Sequence, residues 1–157
     1  MITGKAWILG DNIDTDQIIP ARYLNTSEPE KLAPHFMEYT NPELASMINK
    51  GDIIVAGKNF GSGSSREHAV ITIKALGVSC VIAESFARIF FRNAINNGLL
   101  LIEAKVNAKN GSIISIDMEN GIIKTEDSSY RFRSYPDFIM NIVNAGGLIN
   151  YVRSSKW

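Results

Sequence analysis

The sequence predicts an α/β domain with a partly parallel sheet, followed by a C-terminal β-hairpin region and a closing helix. Short β-branched runs bounded by glycine occur up to about residue 104. Between several of them, apolar residues recur at the 3.6-residue period of a helix. Strands that alternate with helices favour parallel pairing, because a parallel connection needs a crossover. Further along, an Asn-Gly pair at Asn120 and Gly121 joins two β-rich runs, as in a tight hairpin.

The chain has 157 residues, a length typical of one domain. It contains no internal repeat or Pro/Ser-rich linker, so we expect a single domain spanning residues 1–157. Lys+Arg and Asp+Glu both number 16, which gives no charge argument for nucleic acid or an anionic membrane as a partner. No apolar run is long enough to span a bilayer, and the N-terminus does not resemble a signal peptide. We therefore expect a cytoplasmic protein.

The first part of the chain predicts one strand and one helix. Residues 4–10 form a short apolar run closed by glycine and followed by a polar loop, the pattern of a strand end. The segment 25–50 contains three prolines and mixed polarity, and we expect it to be largely a mobile loop. Its exception is a helix with Asn41 as N-cap, Pro42 at the first helical position and Glu43 in the first turn.

The middle of the chain alternates strand and helix patterns. The predicted elements are strands at 51–57, 78–84 and 99–104 and helices at 65–77 and 85–98. Ser85 is a candidate N-cap for the second of these helices, and glycine ends both.

The last part predicts a small antiparallel unit. Residues 112–126 contain the two runs of the hairpin, and residues 129–135 alternate as a third, half-exposed strand would. A final helix starts at Pro136 and ends at Gly146.

The most polar junction in the middle of the chain is "FGSGSSREH", residues 60–68, between a strand and a helix. Its glycines lack the spacing of a P-loop, and Arg66 stands where a dinucleotide fingerprint needs its third glycine. The nucleophile elbow G-x-S-x-G also fails, because Ser65 occupies the place of its second glycine. The junction is therefore neither a standard nucleotide loop nor a hydrolase elbow.

Two interpretations of this junction remain open. Ser64 and Glu67 match the capping box S-x-x-E, a purely structural role. That box leaves Arg66 unexplained, because a cation in the first helical turn opposes the helix dipole by roughly 0.3–1 kcal/mol. A bound carboxylate or phosphate would reverse this sign, with the serines as ligands or as a base. Arg88 and Arg92, four residues apart, are either surface arginines or part of the same anionic pocket.

Metal binding by this chain is not predicted. Asp11, Asp14 and Asp16 resemble the start of a calcium loop, but Arg22 stands where an EF-hand needs its glutamate. Loop capping by these side chains is the ordinary alternative. The single cysteine, Cys80, and two distant histidines provide no zinc ligand set.

Three long motifs, taken in order, resemble a known family. "GDNIDTDQIIPARYL", "GKNFGSGSSREHA" and "VIAESFARIFFRNAINNGLL" are similar to segments of the small subunits of 3-isopropylmalate dehydratase, a branch of the aconitase family. The resemblance implies a swivelling β/β/α domain that docks on a large subunit as a heterodimer or heterotetramer. It also implies that the [4Fe-4S] cluster is held by cysteines of that large subunit, with no cofactor bound by this chain.

The family reaction is the hydro-lyase isomerisation of 2-isopropylmalate to 3-isopropylmalate through isopropylmaleate, in leucine biosynthesis. By resemblance, Ser64 is the catalytic base that takes a proton from carbon. The residues implied to bind the dicarboxylate substrate are Ser65, Arg66, Asp14, Thr15 and Asp16.

The resemblance also implies a substrate-specificity loop formed by Tyr23, Leu24, Asn25 and Thr26. Homoaconitase-type subunits tend to carry arginine at the position of Asn25, where it meets an additional carboxylate. Asn25 favours an uncharged side group, but an amide is not the residue an isopropyl group would prefer. Homoaconitase, citramalate and 2,3-dimethylmalate dehydratase small subunits remain alternatives, as does a non-enzymatic anion-binding domain that keeps the fold.

Overall fold

The structure is a computed structural model and describes residues 1–154. One seven-stranded sheet runs through the molecule in the order β4-β3-β2-β1-β5-β6-β7. The strands are β1 Ile2–Ile8, β2 Ile53–Ala56, β3 Cys80–Ala83, β4 Leu101–Glu103, β5 Ile113–Asp117, β6 Ile122–Lys124 and β7 Ser129–Arg131. The α-helices are α1 Thr15–Ile18, α2 Pro29–Leu32, α3 Leu44–Met47, α4 Glu67–Ala75, α5 Arg88–Asn96, α6 Asp137–Asn144 and α7 Leu148–Ser154. Two 3-10 helices lie at Ala21–Tyr23 and Ala33–His35.

The sheet has a parallel half and an antiparallel half that meet at β1. Strands β1 to β4 pair in parallel, and β5 to β7 pair antiparallel. The end of β1 pairs with β2, whereas its beginning pairs with β5. The predicted α/β fold with a partly parallel sheet is therefore confirmed, as is the C-terminal hairpin region.

The core is divided by the sheet into two apolar layers. Every residue of β2 and β3 is buried, because helices and chain segments cover both faces of these strands. Ile54 packs into one layer and Ile53 into the other, as the two-residue period of a strand requires. Helix α4 packs in the first layer and α6 in the second.

The predicted Asn-Gly hairpin forms between β5 and β6. Gly121 has a φ of +66°, a conformation that glycine adopts at little cost. The Asp117 carboxylate accepts hydrogen bonds from the Asn120 backbone N–H at 3.1 Å and from its side-chain amide at 2.8 Å. The turn residues thus set the register of the hairpin, as the sequence pattern indicates.

The prediction of a largely mobile loop at 25–50 is wrong. This segment forms short helices and places Leu32 and Phe36 in the core, each 0% exposed. The predicted N-terminal boundary of its helix is wrong as well. Helix α3 has Glu43 as N-cap, without a side-chain cap, and the Asn41 N–H belongs to a preceding turn, where it donates to the Met37 carbonyl at 2.8 Å.

Further boundaries near the C-terminal half differ from the predicted ones. Helix α5 has Ala87 as N-cap, without a side-chain cap. Ser85 does not cap it, because the Ser85 hydroxyl accepts the Asn59 N–H at 2.8 Å. Strand β7 ends at Arg131, before the predicted 135, and helix α7 follows α6 where no helix was predicted.

Candidate active site

Three loops meet at the carboxyl edge of the parallel half of the sheet. They follow β1, β2 and β3 and comprise residues 9–14, 57–66 and 84–87. This edge of a parallel sheet is where ligands commonly bind, because successive strand ends open into one crevice. The loop 57–66, which contains the Gly/Ser junction, lies between the other two.

The junction loop is hydrogen-bonded on both sides as an extra strand would be. On one side the Gly61 N–H donates to Ile13 at 2.7 Å, and the Thr15 N–H donates to Ser62 at 2.9 Å. On the other side the Phe60 N–H donates to Ser85 at 3.0 Å, and the Ala87 N–H donates to the Phe60 carbonyl at 2.9 Å. The loop is therefore positioned by its backbone, independently of the side chains of the exposed residues Ser64 and Ser65.

Gly61 permits a close contact beneath this loop. Its φ is +83°, and a Cβ atom there would lie 2.2 Å from Cγ of Phe90. Phe90 is 3% exposed and forms edge contacts with Phe60. Only glycine allows the loop to pass this close to the aromatic ring.

Of the two interpretations of the junction, the capping box of Ser64 and Glu67 is not formed. Helix α4 begins at Glu67, with Arg66 as an extended N-cap residue that makes no side-chain cap. Ser64 lies two residues before that cap and is exposed. Its carbonyl oxygen accepts the hydroxyl of buried Thr15 at 2.8 Å. Ser64 is thus positioned through its main chain rather than used as a helix cap.

A capping box is present at α1 instead. The Asp14 carboxylate accepts the Gln17 N–H at 2.7 Å, and the Asp14 N–H donates to the Gln17 side chain at 2.9 Å. The Asp14 carboxylate therefore stabilises the short helix that presents Thr15 to the junction. The predicted substrate-binding roles of Asp14 and Thr15 stay predictions.

Arg66 is paired within the chain. Its Nη1 donates to Asp16 Oδ1 at 3.2 Å and to the Ile19 carbonyl at 3.3 Å. The Arg66 side chain is 17% exposed and that of Asp16 52% exposed. Arg66 is the N-cap residue of α4 and not part of its first turn. Its positive charge is paired with the Asp16 carboxylate. A guanidinium has five N–H donors, and both of these contacts use the same nitrogen.

A cleft of about 220 Å³ opens between the junction loop and α5. Its lining residues are Thr15, Gly61, Gly63, Ser65, Arg66, Ala87, Arg88, Ile89, Phe90 and Asn93. Two of these are arginines, which favours a carboxylate or phosphate ligand. Arg92 instead lines a neighbouring groove of α5 and α6.

The structure brings together most of the residues predicted for the site. Thr15, Ser65 and Arg66 line the cleft, Asp16 reaches it through Arg66, and Ser64 is tied to it through Thr15. The segment Tyr23–Thr26 is not among the described residues that line this cleft. The segment begins four residues after Ile19, and the Ile19 carbonyl accepts a hydrogen bond from the Arg66 guanidinium.

The wall contributed by α5 was largely missed by sequence reasoning. Ile89, Phe90 and Asn93 belong to a helix that reads as an ordinary amphipathic element. Only Arg88 was singled out, on its charge. The four-residue spacing of Ile89 and Asn93 places both on one helical face, but nothing local indicates that this face borders a cleft.

The residues that the structure describes do not form a ligand set that fits an iron-sulfur cluster. Cys80 is 0% exposed in β3, and burial raises the pKa of its thiol to about 12. A cluster needs several thiolates, and residues 1–154 contain no grouping of three or more His, Cys, Asp or Glu side chains suited to a metal ion. Over the same residues, no helix is long and apolar enough to cross a bilayer.

Comparison with known proteins gives consistent results. Residues 38–107 match the model of the aconitase C-terminal domain. The 3-isopropylmalate dehydratase small subunit of Hydrogenobaculum sp. is 58% identical, over 98% of this chain and 97% of its own length. The methanogen homoaconitase small subunit of Methanothermobacter thermautotrophicus is 54% identical, over 96% and 90%. A crystal structure of 3-isopropylmalate dehydratase from Methanocaldococcus jannaschii superposes with a TM-score of 0.92 at 45% identity, covering 97% of this chain and 93% of that one.

Proposed function

The chain belongs to the family of 3-isopropylmalate dehydratase small subunits, and from this we propose that its Gly/Ser junction provides the base and the carboxylate-binding arginine of the reaction. The enzyme is a hydro-lyase of leucine biosynthesis that isomerises 2-isopropylmalate to 3-isopropylmalate through isopropylmaleate, and this chain is its small subunit. The predicted α/β fold of the aconitase family is confirmed.

One observation carries the site assignment: the junction backbone is bonded on both sides while Ser64 is left out of the helix cap. If Ser64 capped α4, its hydroxyl oxygen would accept a hydrogen bond from a backbone N–H of the first helical turn. Here Ser64 is an exposed residue outside the cap, and Arg66, two positions later in the sequence, lines the cleft. Preorganised donors of this kind stabilise negative charge as it develops.

The proposed step is a proton transfer followed by loss of hydroxide. Ser64 Oγ, as the alkoxide, takes the proton from the carbon next to a substrate carboxylate. The electron pair of that C–H bond forms the double bond of isopropylmaleate, and hydroxide leaves from the adjacent carbon. Rehydration with the two carbons exchanged gives the isomer. Arg66 and Ser65 would bind a carboxylate of the substrate throughout.

The serine can act as a base only in a strongly electropositive setting, because a hydroxyl is a very weak acid in water. Arg66, Arg88 and the start of the nine-residue helix α4 all place positive charge at this cleft. Bound substrate would exclude water and strengthen these interactions. The chain thereby provides the proton-abstracting half of the reaction.

The other half of the reaction, removal of the hydroxide, depends on the large subunit. As a small subunit, the chain functions with a large subunit. We place the [4Fe-4S] cluster on that large subunit, because the only cysteine of this chain is buried in a strand. A heterodimer or heterotetramer in the cytoplasm is consistent with this arrangement.

The test is reconstitution with the large subunit under anaerobic conditions. The wild-type complex should interconvert 2-isopropylmalate and 3-isopropylmalate. Ser64→Ala should lower kcat by about 10²–10⁴-fold while the two chains still co-purify. Ser62→Ala is the matched control, because Ser62 serves the loop through its main-chain carbonyl. Full turnover by Ser64→Ala would refute the base assignment, and a wild-type complex inactive on every 2-hydroxy diacid would refute the function.

A second substrate is favoured by one observation, the 54% identity to a homoaconitase small subunit. That enzyme class handles an additional carboxylate, which an uncharged Asn25 is not suited to bind. A panel of 2-hydroxy acids with two and three carboxylates separates the two functions. Preference for the tricarboxylates would assign the chain to homoaconitase.

A further inference from the structure

A compact polar cluster anchors the beginning of the segment Tyr23–Thr26. The Tyr23 hydroxyl donates to the Glu38 carboxylate, at 2.8 Å from one oxygen and 2.9 Å from the other. His35 Nδ1 lies 2.9 Å from the same carboxylate. The guanidinium of Arg22 forms an ion pair with it. The rings of Tyr23 and His35 stack with centroids 3.8 Å apart.

Glu38 is the centre of this cluster. Its side chain is 24% exposed, and it accepts from a phenol, an imidazole and a guanidinium. The hydrogen bond from Tyr23 is the main cause that lowers the pKa of the Glu38 carboxyl below 4.5, and the bonds from His35 and Arg22 lower it further. Glu38 is therefore ionised at neutral pH and holds the Tyr23 hydroxyl by a charge-assisted bond.

The backbone before Glu38 ties this carboxylate to the candidate active site. Met37 has a φ of +56° and is 2% exposed, an unusual conformation for a residue with a side chain. Its N–H donates to the Ile18 carbonyl at 3.1 Å. Ile18 is the last residue of α1, the helix that presents Thr15. The carbonyl of the next residue, Ile19, accepts a hydrogen bond from the Arg66 guanidinium. Glu38 and the junction loop are thus linked through these hydrogen bonds.

We propose that Glu38 is a positioning residue that sets substrate specificity, by holding Tyr23 and with it the segment Tyr23–Thr26 against the side group of the substrate. The inference rests on the proposed function and on the specificity role that the family resemblance implies for this segment. Glu38 itself touches no substrate. Its carboxylate fixes the direction in which the chain leaves the 3-10 helix Ala21–Tyr23, and the stacked ring of His35 restricts Tyr23 to one orientation.

The experiment uses the complex of both subunits and three variants: Tyr23→Phe, Glu38→Gln and the double variant. Each single variant removes the charge-assisted bond and leaves the size of the side chain nearly unchanged. KM for 2-isopropylmalate should rise about tenfold, the order expected for a hydrogen bond to a charged group. We expect kcat to stay within about twofold, because Ser64 and Arg66 are unaltered.

Two comparisons distinguish positioning from mere stabilisation. The double variant should match Glu38→Gln instead of multiplying the two single effects, because the charge-assisted bond to Tyr23 is already lost with the Glu38 charge. The ratio of kcat/KM for 2-isopropylmalate to that for 2-methylmalate should fall several-fold, because the larger side group depends more on the segment. Glu28→Gln is the matched control, since it removes only an exposed ion pair with Lys31 of 2.7 Å, and it should leave both quantities unchanged.

The contrary outcomes are equally specific. A lower melting temperature with an unchanged substrate ratio would show that Glu38 only stabilises the fold, and this would overturn the inference. Multiplicative effects in the double variant would overturn it too. If the wild-type complex turns over no diacid, the proposed function fails and the inference falls with it. The wild-type measurement in the same assay therefore distinguishes the two failures.

Discussion

The contact between Gly61 and Phe90 allows a prediction with an internal control. Gly61→Ala would place a methyl group 2.2 Å from the Phe90 ring, so the ring or the junction loop must move. Gly63, two residues later, has a similar φ of +91°, but its added Cβ would meet no heavy atom closer than 3.5 Å. Gly61→Ala and Gly63→Ala should therefore have a similar cost in backbone strain, and only Gly61→Ala should add a steric clash.

The size of the difference follows from this geometry. In both variants alanine must adopt a left-handed conformation, at about 1–2 kcal/mol. Both also lose unfolded-chain entropy, which offsets about 0.4–1 kcal/mol. Only Gly61→Ala adds overpacking against a buried ring, at about 1–3 kcal/mol. The free energy of unfolding should fall further for Gly61→Ala by that last amount, equivalent to roughly 2–12 °C in Tm for a chain of this size.

The measurement is urea and thermal unfolding of the full chain, followed by circular dichroism. A second comparison tests the cause directly. Phe90→Ala removes Cγ and the ring atoms and leaves only Cβ, 2.5 Å from the added methyl group. In this background the penalty of Gly61→Ala should shrink, whereas that of Gly63→Ala should not. Equal destabilisation by the two glycine substitutions would refute the reasoning. It would mean that the left-handed backbone, and not the ring, requires glycine at this position.

Four further predictions concern the site and its surroundings. Arg66→Lys should lower kcat/KM by about tenfold or more in steady-state assays, because one ammonium cannot replace a fork that contacts Asp16 and a substrate carboxylate; unchanged kinetics would argue against carboxylate binding. Asn25→Arg should shift kcat/KM toward tricarboxylates, and an unshifted substrate panel would remove Asn25 from the specificity loop. Cys80 should resist a thiol reagent at pH 8 until the chain unfolds, because burial raises the pKa of its thiol to about 12; rapid labelling of folded protein would contradict this. The folded pKa of Glu38 lies below 4.5, so its stabilising effect is complete above that pH and is lost as pH falls through the folded value. Glu38→Gln should reduce the fall in the free energy of unfolding over this acidic pH range. An unchanged pH dependence would contradict a stabilising role of the ionised Glu38 carboxylate.

Local sequence patterns predicted the elements of this fold well. The buried strands β2 and β3, the helices α4 and α5, and the Asn-Gly turn all follow from periodicity and turn chemistry over a few residues. The short helices of the segment 25–50 were not predicted by such patterns, because packing stabilises them: Leu32 and Phe36 are buried in the core. Propensity over four residues is too weak to predict such helices.

The same distinction holds for the candidate site. The residue types alone singled out the junction at residues 60–68 and left an anion site as one of two interpretations, and the family resemblance implied Ser64 as the base. The sequence also determined that this chain lacks the thiolates for a cluster, since it contains one cysteine. Local reasoning could not decide whether Ser64 caps α4, because Ser64 matches a pattern that the backbone does not adopt.

Tertiary structure alone decided how these residues are held. Asp16 pairs with Arg66 across 50 positions in the chain, and Thr15 holds the Ser64 carbonyl across 49. Such contacts depend on two loops reaching the same sheet edge, which no pattern within either loop encodes. The sequence therefore determined the chemistry available at the junction, whereas the fold decided the partners of each group, because hydrogen bonds over long sequence separations form only once the sheet has brought the loops together.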